Sequence, residues 1–179
     1  YPELMENFDK QEAAFWKLQE LDFTKDYENF MKLDKPKQKI IKMILSFFAN
    51  SDGIVNVNIT NRIMNEITSI EAFTAYSFQV MMENTHNRTY SFLLNLLVKD
   101  EKEKEEMFNS IENINSIKLI SDWAYKWIES DEPLPCRIVA FACIEGILFS
   151  AAFAFIFWLK EHSMGDICME GLIKSNEFI

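Results

Sequence analysis

The run Ile138-Val139-Ala140-Phe141-Ala142-Cys143-Ile144-Glu145-Gly146-Ile147-Leu148-Phe149-Ser150-Ala151-Ala152-Phe153-Ala154-Phe155-Ile156-Phe157-Trp158-Leu159 carries one charge, Glu145. No proline interrupts it, and it is far too long for one strand, so it reads as a helix over 137–162. Burying an unpaired carboxylate costs several kcal/mol. A helix that keeps one must offset that cost, and a cation does so most directly. Two other readings stand beside this one. The run is just long enough to cross a bilayer, but the acid falls inside the span and no other segment reads as membrane-like, so no membrane is expected as a partner. An Arg or Lys could also neutralise Glu145.

Upstream lie two more long helical patterns. Residues 35–64 follow Asp34, a plausible N-cap, and place Pro36 in the first turn, where its missing N–H costs little. Residues 69–98 follow Thr68, which has capping-box spacing to Glu71. Shorter helices are expected over 9–18, ending in Phe15-Trp16, and over 116–129, where Trp123 and Trp127 stand at i, i+4 as packing residues, a role also expected of Trp158. Asp131-Glu132-Pro133 separates the last two helices. Asp100 to Glu106 reads as a solvated turn and helix start, and Lys35 to Lys42 as a solvated helix face. No strand signal, repeat or linker competes. The economical fold is all-α, a single domain over 1–179 built as an antiparallel helical bundle.

Composition agrees. The 179 residues are 49% apolar, with 16 Phe and 4 Trp but only 4 Gly and 4 Pro, which favours helices over a many-stranded sandwich. The formal charge of −10 argues against binding nucleic acid through its phosphates. Cys136, Cys143 and Cys168 form no C-x-x-C pair and read as small apolar fillers in a reducing compartment. Tyr1-Pro2-Glu3 has no signal-peptide character, and the missing Met points to a piece of something longer.

Two further sites put acids in apolar surroundings. Asp52 interrupts Ile44 to Val55, and Asp52-Gly53 alone fits a turn as well as a ligand. Glu83 and His86 stand at i, i+3, so both face one way on their helix. Four-helix diiron proteins use this Glu-x-x-His spacing, which pairs a carboxylate oxygen with an imidazole nitrogen. One such match is common by chance on a surface helix. Tyr90 lies two turns beyond Glu83 along the same face. Asp52, Glu83 with His86, and Glu145 each sit near the middle of an apolar helix, so they are expected to converge at one depth.

At these residues the sequence resembles the small subunit of class I ribonucleotide reductase, eukaryotic type. The likeness covers nearly the whole chain. It runs from Ala14-Phe15-Trp16, Glu20-Leu21-Asp22 and Lys25-Asp26, through Ser46-Phe47-Phe48-Ala49-Asn50-Ser51-Asp52-Gly53-Ile54-Val55 and Met82-Glu83-Asn84-Thr85-His86 with Tyr90, to Val139 through Ser150. The resemblance implies a ferritin-like bundle with a diiron-type site between the long helices. It implies that Asp52, Glu83, His86 and Glu145 are metal ligands, with Glu83 bridging. Tyr90 is then the radical site, Phe149 and Phe153 its shield, and Trp16 the electron-transfer residue. Tyr90 is expected to reach the cluster or Asp52 by a short hydrogen bond. Thr85 and Asn87 replace the family's usual Ile and Ser beside the histidine, and Lys174 replaces an apolar residue.

The family's second Glu-x-x-His would begin roughly four residues past Ile179. The sequence ends before it, and before the family's C-terminal tail. His162, the other histidine, has no Glu three residues earlier. The implied function is that of a ribonucleoside-diphosphate reductase small subunit, which generates and stores a tyrosyl radical for deoxyribonucleotide synthesis. The implied cofactor is two Fe per chain, with Mn possible, absent or partial over these residues alone. The implied partners are a large subunit and a second small subunit, as homodimer or heterodimer, in the cytoplasm. The alternative is a non-catalytic paralogue with a structural role in the same complex.

Overall fold

A computed structural model of the chain describes residues 1–109, 112, 114–162 and 168–179. Among these the structure is helical and contains no strand. Helix α1 spans Pro2–Ala13 and α2 spans Asp26–Lys32, with a 3-10 turn at Leu18–Glu20 between them. Helix α3 spans Lys35–Asn58 and continues through a π turn, Ile59–Ile63, into Met64–Glu66. Helix α4 spans Ile70–Leu97, α5 Glu101–Phe108 and α6 Asn115–Ile128. Helix α7 spans Leu134–Cys143, winds through a π turn at Ile144–Leu148, and leads into α8, Ser150–His162; α9 spans Glu170–Phe178.

Local chemistry sets these boundaries. Asp34 caps α3 by accepting from the Lys37 N–H at 2.9 Å, with Pro36 in the first turn. The cap of α4 is Ser69, not Thr68. The Ser69 oxygen accepts from the Ala72 N–H at 3.3 Å, because the helix begins one residue later than the capping-box spacing suggests. Asp100 caps α5 in the same way through the Glu103 N–H. The first helix also differs from expectation. It starts at Pro2, whose fixed φ suits a first turn, and stops at Ala13 rather than running to residue 18. The chain is then free to turn inward and bury Trp16. Pro135 is likewise accommodated in a first turn, so α7 begins at Leu134, three residues before Arg137.

Among the described residues the antiparallel pair α3–α4 is the most extensive helix contact. Ile41, Leu45, Phe48, Val55 and Ile59 line the inner face of α3 and its extension at helical spacing. Tyr90, Leu93, Leu94 and Leu97 answer from α4. Helix α1 packs on α4, while α5 and α6 pack on α3. The Ser46 hydroxyl donates to the Met107 carbonyl, and the Lys42 ammonium pairs with Glu103 at 2.6 Å, both tying α5 to α3. Arg62 donates to the carbonyls of Ile128 and Ser130, and buried Arg137 pairs with Glu66. These two cations clamp the far end of the α3 extension to α6 and α7.

Helix α9 is held from outside the bundle core. The buried Asp26 carboxylate accepts from the N–H groups of Gly171 at 3.1 Å and Leu172 at 2.7 Å, and so serves the orphan donors of the helix start. A Cβ added at Gly171 would collide with the Phe23 ring, so this close approach requires glycine. Two expectations about side chains fail, and so does the expectation that no second segment is membrane-like. Cys136 and Cys168 are exposed and Cys143 is half-buried, so they are not core fillers. Trp158 is 42% exposed and stacks on its own helix neighbours Phe155 and His162. Finally, α3 with its extension, like Leu134–His162, is long and apolar enough to cross a membrane, but over half of its most apolar window is buried inside the fold.

Candidate metal centre

Asp52 sits in the uninterrupted middle of α3; the turn reading of Asp52-Gly53 gives way to helix, whose packed face spans that point. Glu83 and His86 project from the middle of α4. One donor atom from each of Asp52, Glu83 and His86 lies within 4.8 Å of the others, and all three residues are buried. Glu145 comes from the π turn between α7 and α8 and faces the same cavity, which has a volume of about 300 Å³. The backbone bond that widens this turn runs from the Phe149 N–H to the Ile144 carbonyl at 3.3 Å.

The polar atoms here lack the partners that burial demands. Asp52 Oδ2, Glu145 Oε1 and His86 Nε2 accept or donate no hydrogen bond among the described residues. Glu83 is only partly served: Oε1 accepts from the Gln79 amide at 3.3 Å, and Oε2 lies 3.4 Å from His86 Nδ1. Among the described residues no Lys or Arg pairs with Asp52, Glu83 or Glu145, which removes the ion-pair reading of Glu145. Burial pushes Asp52 well above the usual carboxylate range, and the charges of Glu83 and Glu145 add to it. Burial, then Glu83, raises Glu145 to about 8. Three acids and one imidazole around one cavity, with orphaned acceptors and no counter-charge, fit a divalent metal that takes oxygen and nitrogen donors.

Tyr90 lies beside this set and is fully buried. Its ring stacks on Phe48 at 4.7 Å between centroids, and Phe48 in turn meets Phe153 at 4.8 Å and Phe149 at 5.7 Å. Burial, with Asp52 and Glu83 nearby, holds the phenol well above its ordinary pKa. The hydroxyl does not bond to Asp52 as expected. It donates to Asn176 Oδ1 on α9 at 3.3 Å. Trp16 stacks against His86, with ring centroids 5.9 Å apart and planes 18° from parallel. Trp16 Nε1 has no partner among the described residues.

The two departures beside the histidine have local uses. Asn87 donates to the Ala49 carbonyl at 2.6 Å and so ties α4 to α3 near Asp52, while the Thr85 hydroxyl donates to Met81 of its own helix. Lys174 faces solvent and pairs with Glu170 at 2.7 Å, which explains a charge where an apolar residue was expected. Sequence reading missed Phe48, Gln79 and Asn176. Phe48 and Gln79 each stand four residues before a candidate ligand, a helical signal that was available. Asn176 reaches Tyr90 only through the placement of α9, and nothing local announces it.

Comparison with known proteins returns one consistent group. Residues 1–179 match the family described as ribonucleotide reductase, small chain. The ribonucleoside-diphosphate reductase small chain of Yaba-like disease virus is 44% identical over 180 residues, covering all of this chain and 54% of that protein. The corresponding small chain of Plasmodium falciparum (isolate Dd2) is 44% identical over 179 residues, covering all of this chain and 50% of that one. The chain thus spans about half the length of these curated relatives. Among solved structures, the Rnr4 homodimer of Saccharomyces cerevisiae aligns with a TM-score of 0.84 at 32% identity, covering 98% of this chain and 55% of that one. Dimanganese(II)-NrdF of Streptococcus sanguinis also gives 0.84, at 13% identity and covering 99% of this chain and 63% of that one, a likeness of fold alone.

Proposed function

The chain belongs to the ribonucleotide reductase small-chain family, and from that premise we propose that it works as the small subunit of a ribonucleoside-diphosphate reductase, generating and storing a tyrosyl radical on Tyr90. The observation that carries this reading is the convergence of Asp52, Glu83 and His86 on one buried cavity shared with Glu145 and Tyr90. Asp52, Glu83, His86 and Glu145 would hold the metal pair, with Glu83, whose charge couples to both Asp52 and Glu145, central among them. His86 Nδ1, which faces Glu83, would be the binding nitrogen. Two iron ions are the proposed cofactor, and manganese is the alternative that the same donors would accept. When bound, the metal pair supplies, with oxygen, the oxidising power that takes one electron and one proton from Tyr90.

The residues of the chain shape that step. Burial, with the carboxylates of Asp52 and Glu83 beside it, disfavours a free phenolate at Tyr90, so its electron and proton would leave together. Phe48, Phe149 and Phe153 keep water and reductants from the ring. Trp16 and His86, in stacked contact, form the start of a path for the hole toward a large subunit. Both Trp16 Nε1 and His86 Nε2 await an acceptor, and a carboxylate would satisfy the two donors and join them. A soluble cytoplasmic protein that pairs with a second small subunit and docks on a large subunit completes the reading.

The test is reconstitution of the full-length protein with ferrous iron and oxygen, read by metal analysis and electron spin resonance. Two metals per chain and a tyrosyl signal that disappears in Tyr90→Phe, with metal retained, are expected. A normal signal in Tyr90→Phe would place the radical elsewhere. Two metals and no radical in the wild-type protein would overturn the radical role and favour a structural one.

A further inference from the structure

Asn176 is 3% exposed, and its amide is oriented by its own helix. Nδ2 donates to the Leu172 carbonyl at 2.7 Å and lies 3.4 Å from the Ser175 hydroxyl oxygen. A backbone carbonyl only accepts, so the nitrogen must face Leu172 and Oδ1 must face away from it. Oδ1 is the atom that meets the Tyr90 hydroxyl. Tyr90 sits 86 residues earlier in the chain, on α4, and it is 1% exposed. A phenol in that position needs an acceptor, and the carboxylates in the same cavity do not provide it here.

The position of Asn176 does not depend on the metal cavity. Asp26 fixes the start of α9 through Gly171 and Leu172, Asn29 Nδ2 donates to the Cys168 carbonyl at 2.6 Å, and Gly171 seats against Phe23. We propose that Asn176 is a positioning residue for Tyr90: its Oδ1 holds the phenol O–H, so the docking of α9 sets how the Tyr90 ring lies beside the metal cavity. An amide oxygen is no base near neutral pH, so it orients the phenol without removing its proton. The spectroscopic meaning of this contact rests on the radical role proposed above; the contact itself does not.

Two measurements on the full-length protein separate the two. The first is a double-mutant cycle on the metal-free form, with Asn176→Leu, Tyr90→Phe and the pair. Asn176→Leu should lower the folding equilibrium constant about tenfold more when Tyr90 is present than when Phe replaces it, because only Tyr90 leaves a buried O–H unserved. Equal effects in the two backgrounds would overturn the proposal. If Asn176→Leu does not fold, hydrogen exchange in Tyr90→Phe decides: amides of α9 around Asn176 should exchange faster than in the wild type, and unchanged protection would overturn it. The second measurement is electron spin resonance of the reconstituted protein. Splitting from the Cβ protons of a tyrosyl radical depends on the angle between ring and side chain. Asn176→Leu should change that splitting, and Asn176→Asp, isosteric when protonated, should restore it. Identical splitting in all three would overturn the proposal. Absence of any radical in the wild type would overturn the function proposed above, while the cycle still decides on Asn176.

Discussion

Two long apolar stretches each bring one acid to the cavity, and they do it differently. Helix α3 carries Asp52 and is packed along its inner face against α4. The stretch Leu134–His162 carries Glu145 and is the more apolar of the two, yet less of it is covered: Val139 is 63% and Ile147 65% exposed. Helix α3 also runs straight through Asp52, whereas the other stretch widens into a π turn at Glu145. Such turns recur at functional sites because they re-aim a side chain without ending the helix. Apolar composition therefore says that a surface favours cover, not how firmly its residues are held. Asp52, Glu83 and His86 are fixed by two mutually packed helices, and Glu145 by one that is partly open.

The sharpest test of this difference is metal binding. Glu83→Ala removes the acid that couples electrostatically to both Asp52 and Glu145, and it leaves His86 Nδ1 without its neighbour. Metal content in the full-length protein should fall close to zero, a larger loss than the roughly 10–100-fold typical of deleting a group that only supports a ligand. Glu145→Ala leaves the α3–α4 donors in place and should retain about one metal per chain. Metal analysis after gel filtration reads both. Equal and complete loss in the two variants would mean that Glu145 is as integral as the packed set.

Packing should show the same division. Phe48 is 1% exposed and touches Tyr90, Phe149 and Phe153, so Phe48→Ala opens a void between α3, α4 and the α7–α8 stretch. Denaturant titration should report a loss of about 3–5 kcal/mol. A cost below about 1 kcal/mol would show that the aromatic cluster is loosely assembled and would remove the contrast.

Much of this arrangement is legible in the sequence, and the illegible parts have physical causes. Long apolar periodicity located α3, α4 and the α7–α8 stretch, because a 3.6-residue repeat survives without knowledge of the partner helix. The spacing of Glu83 and His86 fixes their common face within one helix. Boundaries were less clear: Ser69 and Thr68 are both competent caps, and only the backbone turn decides between them. The π turn at Glu145 has no periodic signature short enough to read. The Tyr90–Asn176 contact joins residues far apart in the chain, so it depends on how Asp26 and Gly171 dock α9. Burial of Trp16 was equally hidden, since it requires α1 to stop before the aromatic pair.

A smaller effect follows from the acids of the metal-free protein. Glu145 titrates at about 8 when folded, above the ordinary 4.5. The folded state thus holds this proton more tightly than the unfolded state does. Its contribution to stability is complete below about pH 4.5 and is lost as pH rises through about 8. Asp52, also raised, acts in the same direction. Stability of the metal-free full-length protein should therefore decline between about pH 5 and 8, by a few kcal/mol. Glu145→Gln should flatten that part of the profile, and saturating metal should flatten it in the wild type, because bound metal takes the place of the proton. A metal-free profile that rises over this window would show that the acids are not held as a buried, uncompensated group.

The smallest effect belongs to the open face of the second stretch. Trp158 contacts Phe155 at 5.7 Å and His162 at 4.9 Å between ring centroids, and these neighbours stand on the same helix. Removing the indole therefore loses stacking within one helix rather than packing between helices. Alanine also has the better helix propensity, by a few tenths of a kcal/mol, which offsets part of the loss. Trp158→Ala in the full-length protein should cost less than about 1 kcal/mol, against about 3–5 for Phe48→Ala. The same denaturant titration reads both variants, so errors in extrapolation largely cancel in the comparison. A cost near 3 kcal/mol at Trp158 would show that this face is covered in the assembled protein. Glu145 would then be held as firmly as Asp52, and retention of one metal by Glu145→Ala would need another cause.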